Sequence, residues 1–259
     1  MYGNLTVNKF NKEKHEFAFY APDLVNYLIS HSKQQQFILD DSDLYHRIIH
    51  VLRLSAEDQF ILFDQNNHIL CLLKDIKKKK LSVEILESNP NKSLSPSITF
   101  LLPLLKREAF HEAAYTLCEL GATHIQPIIT QHSQRKWTTT ENEKLERIIH
   151  AAAEQSKNFS FPTISQPLKL EEFLENTKNK HINIFFDPEG QPLLQIINTL
   201  TENPPQKITL MIGPEADLTL DEKKALKQNN FTFCTLTPTI LRAQQAVAVS
   251  LGIIRSLIR

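Results

Sequence analysis

Residues 208–215 read Ile-Thr-Leu-Met-Ile-Gly-Pro-Glu, and residues 231–245 read Phe-Thr-Phe-Cys-Thr-Leu-Thr-Pro-Thr-Ile-Leu-Arg-Ala-Gln-Gln. Each opens on a short apolar run of the kind a strand buried on both faces requires, and each breaks at turn-forming residues. A third run, Ile182 to Phe186, has the same character. Between the first two, Thr219-Leu220-Asp221-Glu222 has the form of a capping box and predicts a helix start. From about Gln244 the chain turns helical, with Val247, Leu251, Ile254 and Ile258 on one face.

The same rhythm extends upstream. Ile98 to Leu102 reads as a strand, and Ala109 to Leu120 as a helix with Phe110, Ala113, Ala114 and Leu117 inward and Gly121 as its C-cap. Thr123 to Ile129 reads as a strand weakened by Pro127, and Asn142 to Ser156 as a helix through Leu145, Ile148, Ile149, Ala152 and Ala153. Strand–helix alternation predicts an α/β domain with an open, mostly parallel sheet covered by helices on both faces. Ligands of such sheets lie beyond the carboxyl ends of the strands. The loops after Phe186, Ile212 and Leu236 are therefore the candidate site.

The first ninety residues differ. Phe37 to Leu39, Phe60 to Phe63, His68 to Leu73 and Leu81 to Leu86 are short β segments, with a turn cluster at Asp64 to Asn67. Asp43 to Leu54 reads as the one helix, with Leu44, Ile48, Val51 and Leu52 inward. A small β-barrel over 1–90 is expected, then a Pro- and Ser-rich linker from Glu87 to Ser97, then the α/β domain over 97–259.

Composition narrows the function. The 259 residues carry 29 Lys+Arg and 29 Asp+Glu; through Lys92 there are 12 of each sign, and after it 17 of each. Contact with nucleic acid would rest on a local patch rather than on the overall field. The five glycines, at 3, 121, 190, 213 and 252, spell neither G-x-G-x-x-G nor a Walker loop. Cys71, Cys118 and Cys234 are scattered, and no stretch is long and apolar enough to span a bilayer. Met1 to Phe17 is polar and mixed in charge, unlike a signal peptide. A reduced, cytoplasmic protein without a metal site or a membrane partner is expected.

Gly213 in the loop Ile212-Gly213-Pro214-Glu215 lets backbone approach a ligand, and Glu215 offers an acceptor. The loop Leu236 to Arg242 mixes apolar residues, hydroxyls and one arginine. A cation at a helix start, as at Arg242, is unfavourable unless it meets an anion, structural or nucleic-acid phosphate. His46, Arg47 and Arg53 in the small domain are basic candidates for RNA contact, as are Lys106, Arg107 and Arg135, each weighed against a solvated face. Lys77 to Lys80 reads first as a solvated hairpin turn and second as a phosphate contact.

These segments also fall in a known order. Tyr45-His46-Arg47-Ile48-Ile49-His50-Val51-Leu52-Arg53-Leu54, Glu119-Leu120-Gly121-Ala122, Ala151-Ala152-Ala153-Glu154-Gln155-Ser156 with Pro162, Ile212-Gly213-Pro214-Glu215 and Ile240-Leu241-Arg242 together resemble the ribosomal RNA small subunit methyltransferase E family. The resemblance spans nearly the whole chain. It implies a PUA-like N-terminal barrel and a SPOUT-class methyltransferase domain with a deep trefoil knot, working as a homodimer through that domain on 16S rRNA or the assembled small ribosomal subunit. It also implies S-adenosyl-L-methionine held among three strand-end loops, by Phe186, Ile212, Gly213, Pro214, Glu215, Leu236, Thr237, Ile240 and Leu241. The implied reaction is methylation of uridine N3, with Arg242 and Gln244 as the catalytic pair.

Departures from the family pattern set further expectations. Ala216-Asp217 stand where the family has Gly-Gly, Lys157-Asn158 where it has Gly-Arg, Thr237 where it has Gly, Thr239 where it has Arg, and Gln244 where it has Glu. Side chains at Ala216 and Thr237 are expected to narrow the pocket or strain its backbone. The alternative reading is an RNA- or ribosome-binding protein on the same fold with weak or no catalysis.

Overall fold

The computed structural model describes residues 16–31, 34–133, 135–176 and 182–258, so the reading of Met1 to Phe17 falls almost wholly outside the described residues. The chain divides into two compact units, 1–90 and 91–259.

The first unit is built on a five-stranded sheet. Its elements in chain order are β1 (Phe17–Tyr20), α1 (Pro22–Ser30), β2 (Gln36–Leu39), α2 (Ser42–Tyr45) continued by a π-helical turn (His46–Val51), β3 (Gln59–Phe63), β4 (Asn67–Lys77) and β5 (Lys80–Pro90). The strand order is β1-β3-β4-β5-β2, with β1 parallel to β3 and the other pairs antiparallel. Phe19, Leu28, Ile48, Phe60, Leu62, Ile69, Leu73 and Val83 fill its core. Two elements escape the sequence reading. β1 has only four residues, and α1 follows it at once, started by Pro22 at its first position and burying only Val25 and Leu28. The helix read as regular is also wound wider than an α-helix over His46–Val51, with Leu52 N–H donating to Arg47 O at 2.9 Å. Wider winding turns Val51 away from the face of buried Ile48, so Val51, expected inward, is 60% exposed. β5 runs to Pro90 and takes up the first part of the stretch read as linker.

The second unit contains β6 (Ser97–Pro103), α3 (Arg107–Glu119), β7 (His124–Ile129), α4 (Thr139–Ser156), β8 (Thr163–Ile164), β9 (Leu168–Lys169), α5 (Leu170–Asn176), β10 (Ile182–Pro192), α6 (Leu194–Glu202), β11 (Lys207–Ile212), α7 (Leu220–Gln228), β12 (Phe231–Thr235) and α8 (Ala243–Leu257). Its sheet runs β12-β10-β11-β6-β7-β8, with β9 also on β7, and every pairing is parallel. Pro127 is tolerated in β7 because one neighbour is interrupted there. β8 pairs with His124 and Ile125, β9 with Ile128 and Ile129. The Gln126 amide bridges the gap, donating to Gln166 O at 2.8 Å and Pro127 O at 3.0 Å.

Two glycines hold this unit's shape. Gly121 takes φ +83° after α3, and its carbonyl accepts from Arg255 Nε (3.0 Å) and Nη2 (2.7 Å) on α8. Residues 187–190 bulge out of β10, and a Cβ on Gly190 would lie 2.5 Å from Cys234 N of β12. From edge strand β12 the chain does not stay at the edge: α8 packs on β11 and α3.

Candidate active site

The bulge in β10 and the carboxyl ends of β11 and β12 open on a cleft of about 670 Å³, within the range that binds small ligands. Phe186, Ile212, Gly213, Pro214, Glu215, Leu236, Thr237, Ile240 and Leu241 all line it, joined by Arg242, Gln244 and Lys106. Phe186 and Ile212 are buried strand residues, whereas Ile240 is 84% exposed and stands at the rim. Gly213 is the open position in this wall. A Cβ there would meet nothing nearer than Asp217 Oδ1 at 3.5 Å, so the protein itself leaves room for one.

The loop after β11 is pinned at several points. Glu215 Oε1 accepts the main-chain N–H of Lys106 at 3.0 Å, tying this loop to the start of α3. Asp217 takes φ +59°, the conformation a glycine adopts freely. Its carboxylate accepts from Leu218 N–H at 2.7 Å and pairs with Lys223 Nζ at 2.8 Å. Lys223, on α7, also pairs at 2.8 Å with Asp187, a buried carboxylate that opens the bulge in β10. Burial pulls the Lys223 ammonium down, and the two carboxylates more than offset this, so its pKa is raised. One lysine thus ties together two of the loops that border the cleft. α7 is itself fixed by the full capping box of Thr219 and Glu222. Glu222 Oε1 also takes Gln131 N–H at 2.8 Å.

The replaced glycines are therefore accommodated differently from expectation. Neither Ala216 nor Thr237 takes a positive φ; the left-handed backbone falls on Asp217, and on Lys157 (φ +56°) after α4. Thr237 Oγ1 donates to Thr239 O at 2.7 Å and folds into its own loop.

Arg242 is the N-cap residue of α8, with an exposed side chain that makes no hydrogen bond or ion pair among the described residues. Gln244, the second residue of the helix, donates to Glu112 Oε2 at 3.4 Å. Of the basic residues read as RNA contacts, Lys106 lies at the cleft, while Arg135 is turned inward. Arg135 pairs with buried Glu141 and stacks 4.9 Å over the Phe110 ring. His111 and, at 3.7 Å, Arg107 share the same carboxylate. Burial pushes the Glu141 pKa up, but its hydrogen bonds to Arg135 and His111 outweigh that and leave it lowered. Trp137 packs edge-on to Phe110 and donates to Asn142 Oδ1 at 2.8 Å. In the first unit, His46 and Arg53 are exposed, Arg53 has φ +58°, and Arg47 lies 4.9 Å over Phe19. The residues that reasoning from sequence missed are Lys223 and Asp187: a lysine in an amphipathic helix and an aspartate after a strand carry no local sign that they will meet.

Burial pushes the thiols of Cys71 and Cys118 up to about 12 and that of Cys234 up to about 11, so none is a ready nucleophile. No cluster of metal-ligating side chains occurs among the described residues, and no described helix is long and apolar enough to cross a membrane.

The fold and this cleft define a class. A family profile described as an RNA methyltransferase domain matches residues 92–255, and one described as an RNA methyltransferase PUA domain matches residues 39–86. The chain belongs to this RNA methyltransferase family, with a PUA-like domain ahead of a parallel-sheet α/β domain. Within it, the relatives it resembles are ribosomal RNA small subunit methyltransferase E proteins. That of Rickettsia conorii is 28% identical over 82% of this chain and 86% of its own length, and that of Bacillus subtilis 26% over 88% and 94%. The solved Neisseria gonorrhoeae ribosomal RNA small subunit methyltransferase E, bound to S-adenosyl methionine, superposes with a TM-score of 0.73 at 23% identity, over 94% of this chain and 98% of that one.

Proposed function

We propose that this protein methylates N3 of a uridine in 16S ribosomal RNA, with S-adenosyl-L-methionine bound in the cleft at the bulge of β10 and the ends of β11 and β12. The observation that carries the reading is an apolar cleft of about 670 Å³ lined by Arg242, an arginine whose side chain has no partner among the described residues. The residues present fit the cofactor. Phe186, Ile212, Leu236 and Leu241 offer apolar walls for an adenosine, Gly213 leaves its side of the wall bare, and the loop main chains offer N–H and C=O groups. When bound, S-adenosyl-L-methionine supplies an electrophilic methyl group on a sulfonium.

The chain's own residues prepare the acceptor. A uracil imide becomes nucleophilic as its N3 proton leaves, and negative charge gathers on its carbonyl oxygens. Arg242 stabilises that charge, and its helix-start position, costly in the free protein, becomes favourable when it meets an anion. Gln244, tethered to Glu112, orients the base. Glu215 and Lys223 hold the loops, so little reorganisation is needed when the reactants align. The uridine is unpaired or flipped out so that N3 is reachable.

The return of the chain from edge strand β12 to α8 on β11 and α3 supports a deep trefoil knot. Rim residue Ile240, 84% exposed, supports a homodimer in which a second copy covers it. The protein works in the cytoplasm, on 16S rRNA or the assembled small subunit.

The test is direct. Isothermal titration with S-adenosyl-L-methionine should show one site per chain, and labelled methyl should appear at N3 of a single uridine of 16S rRNA. Cofactor binding without transfer to either naked rRNA or small subunits would favour the non-catalytic reading instead.

A further inference from the structure

The β4–β5 hairpin of the first unit is a tight one. Lys77 pairs with Lys80 in the ladder, and only Lys78 and Lys79 form the loop. Both take positive φ, +47° and +64°. That is the pattern of a type I′ turn, where Asn-Gly is strongly preferred and a side chain with an ordinary Cβ is strained. The flanking lysines are neutralised: Lys77 Nζ lies 2.5 Å from Asp75 Oδ2, and Lys80 Nζ 2.6 Å from Asp40 Oδ2. Lys74, further back on β4, reaches Glu57 at 3.1 Å and Glu84 at 3.7 Å. Lys78 and Lys79 are exposed and, among the described residues, have no carboxylate partner. Asp75 and Glu84 of the hairpin are thus each matched to a lysine, and the two lysines without a carboxylate partner among the described residues stand together at the tip, on a backbone that does not favour an ordinary side chain.

Strain retained where a better turn sequence exists points to a use for the side chains. Two adjacent ammonium groups with no base-reading geometry suit phosphate, which fixes position without reading sequence. We infer that the Lys78–Lys79 hairpin tip is a phosphate-contacting arm that grips the RNA backbone away from the methylated base. The inference rests on the reading of this chain as an RNA-modifying enzyme.

The experiment compares the full-length protein with Lys78→Asn/Lys79→Gly and with Lys78→Arg/Lys79→Arg, using transcribed 16S rRNA as the probe. The Asn-Gly variant should melt about 3 °C higher, because the turn is relieved, yet bind rRNA roughly tenfold more weakly at 50 mM salt. Its plot of log affinity against log salt should be shallower by about 1.4, the loss of two phosphate contacts. The double arginine variant should keep wild-type slope and affinity. An Asn-Gly variant with unchanged affinity and slope overturns the inference, as does a double arginine variant that binds as weakly as Asn-Gly. Methyl transfer by the wild type, measured alongside, judges the enzymatic reading separately: binding with this slope change but no transfer leaves the arm standing and removes the enzyme.

Discussion

The ammonium of Lys223 stands 2.8 Å from the buried carboxylate of Asp187, and the same ammonium reaches Asp217 at the same distance. The first pair anchors the bulge in β10, the second the loop after β11, and the cleft opens beside both.

Replacing Lys223 by Met should therefore act on binding as well as on stability. It strands Asp187 as a buried charge, a loss of about 1–3 kcal/mol, at the low end because Lys223 is itself partly wet. With the loops freed, cofactor affinity should fall roughly tenfold, about 1.4 kcal/mol. Thermal melts and titration calorimetry read the two effects. A variant that melts lower but binds S-adenosyl-L-methionine unchanged would separate this lysine from the site.

Two glycines should respond in opposite ways. Gly213→Ala meets only ordinary contacts within the protein, so its melting temperature should hold while cofactor affinity drops at least about tenfold, the added methyl standing in the cleft. Gly190→Ala would press a methyl into the main chain of Cys234 and Phe233 at 2.5–2.6 Å and should cost about 3 kcal/mol or more of stability. Equal effects of the two on melting would contradict the geometry.

Arg242→Ala should lower turnover about a hundredfold, as loss of one preorganised donor does, while S-adenosyl-L-methionine binds as before. Removing a cation from the start of α8 should also raise stability by about 0.3–1 kcal/mol. Unchanged turnover would take Arg242 out of the reaction.

Lys157 occupies a left-handed position with φ +56°, so Lys157→Gly should stabilise the protein by about 0.5–1 kcal/mol in denaturant melts. Asp217→Gly should not gain in the same way, since it forfeits the bonds to Leu218 and Lys223.

Acid should weaken the fold in two stages. Burial lowers the pKa of His124 and His150 below 6.5, so the unfolded chain takes up those protons first, and stability falls as pH drops from about 6.5 toward the folded values. The Glu141 carboxyl, held below 4.5 in the fold, contributes stability that is present above 4.5 and is lost as pH falls through its folded pKa. Melting temperatures of wild type and Glu141→Gln, followed from pH 7 to pH 3, should converge only in the second stage.

Local pattern alone determined five of the parallel strands in the second unit, though not the two-residue strands β8 and β9, together with the capping box at Thr219, the inward face of α8 and the loops after Phe186, Ile212 and Leu236 that border the cleft. Burial on both faces of a strand, or on one stripe of a helix, is written in the spacing of neighbouring residues. The tertiary structure decided what spacing cannot express: that Glu215 meets the main chain of Lys106, that Gln244 meets Glu112, that Lys223 bridges Asp187 and Asp217, and that Arg135 turns inward to Glu141. Most of these partners are far apart in sequence and meet only when distant strands and helices pack together, and a short-range pattern holds no record of which elements those will be. Arg135 and Glu141 are near in sequence, but only the packing of Phe110 and His111 around them turns the arginine inward. The same limit hid the wide turn at His46–Val51, where packing displaced Val51 from the face an α-helical period assigns it.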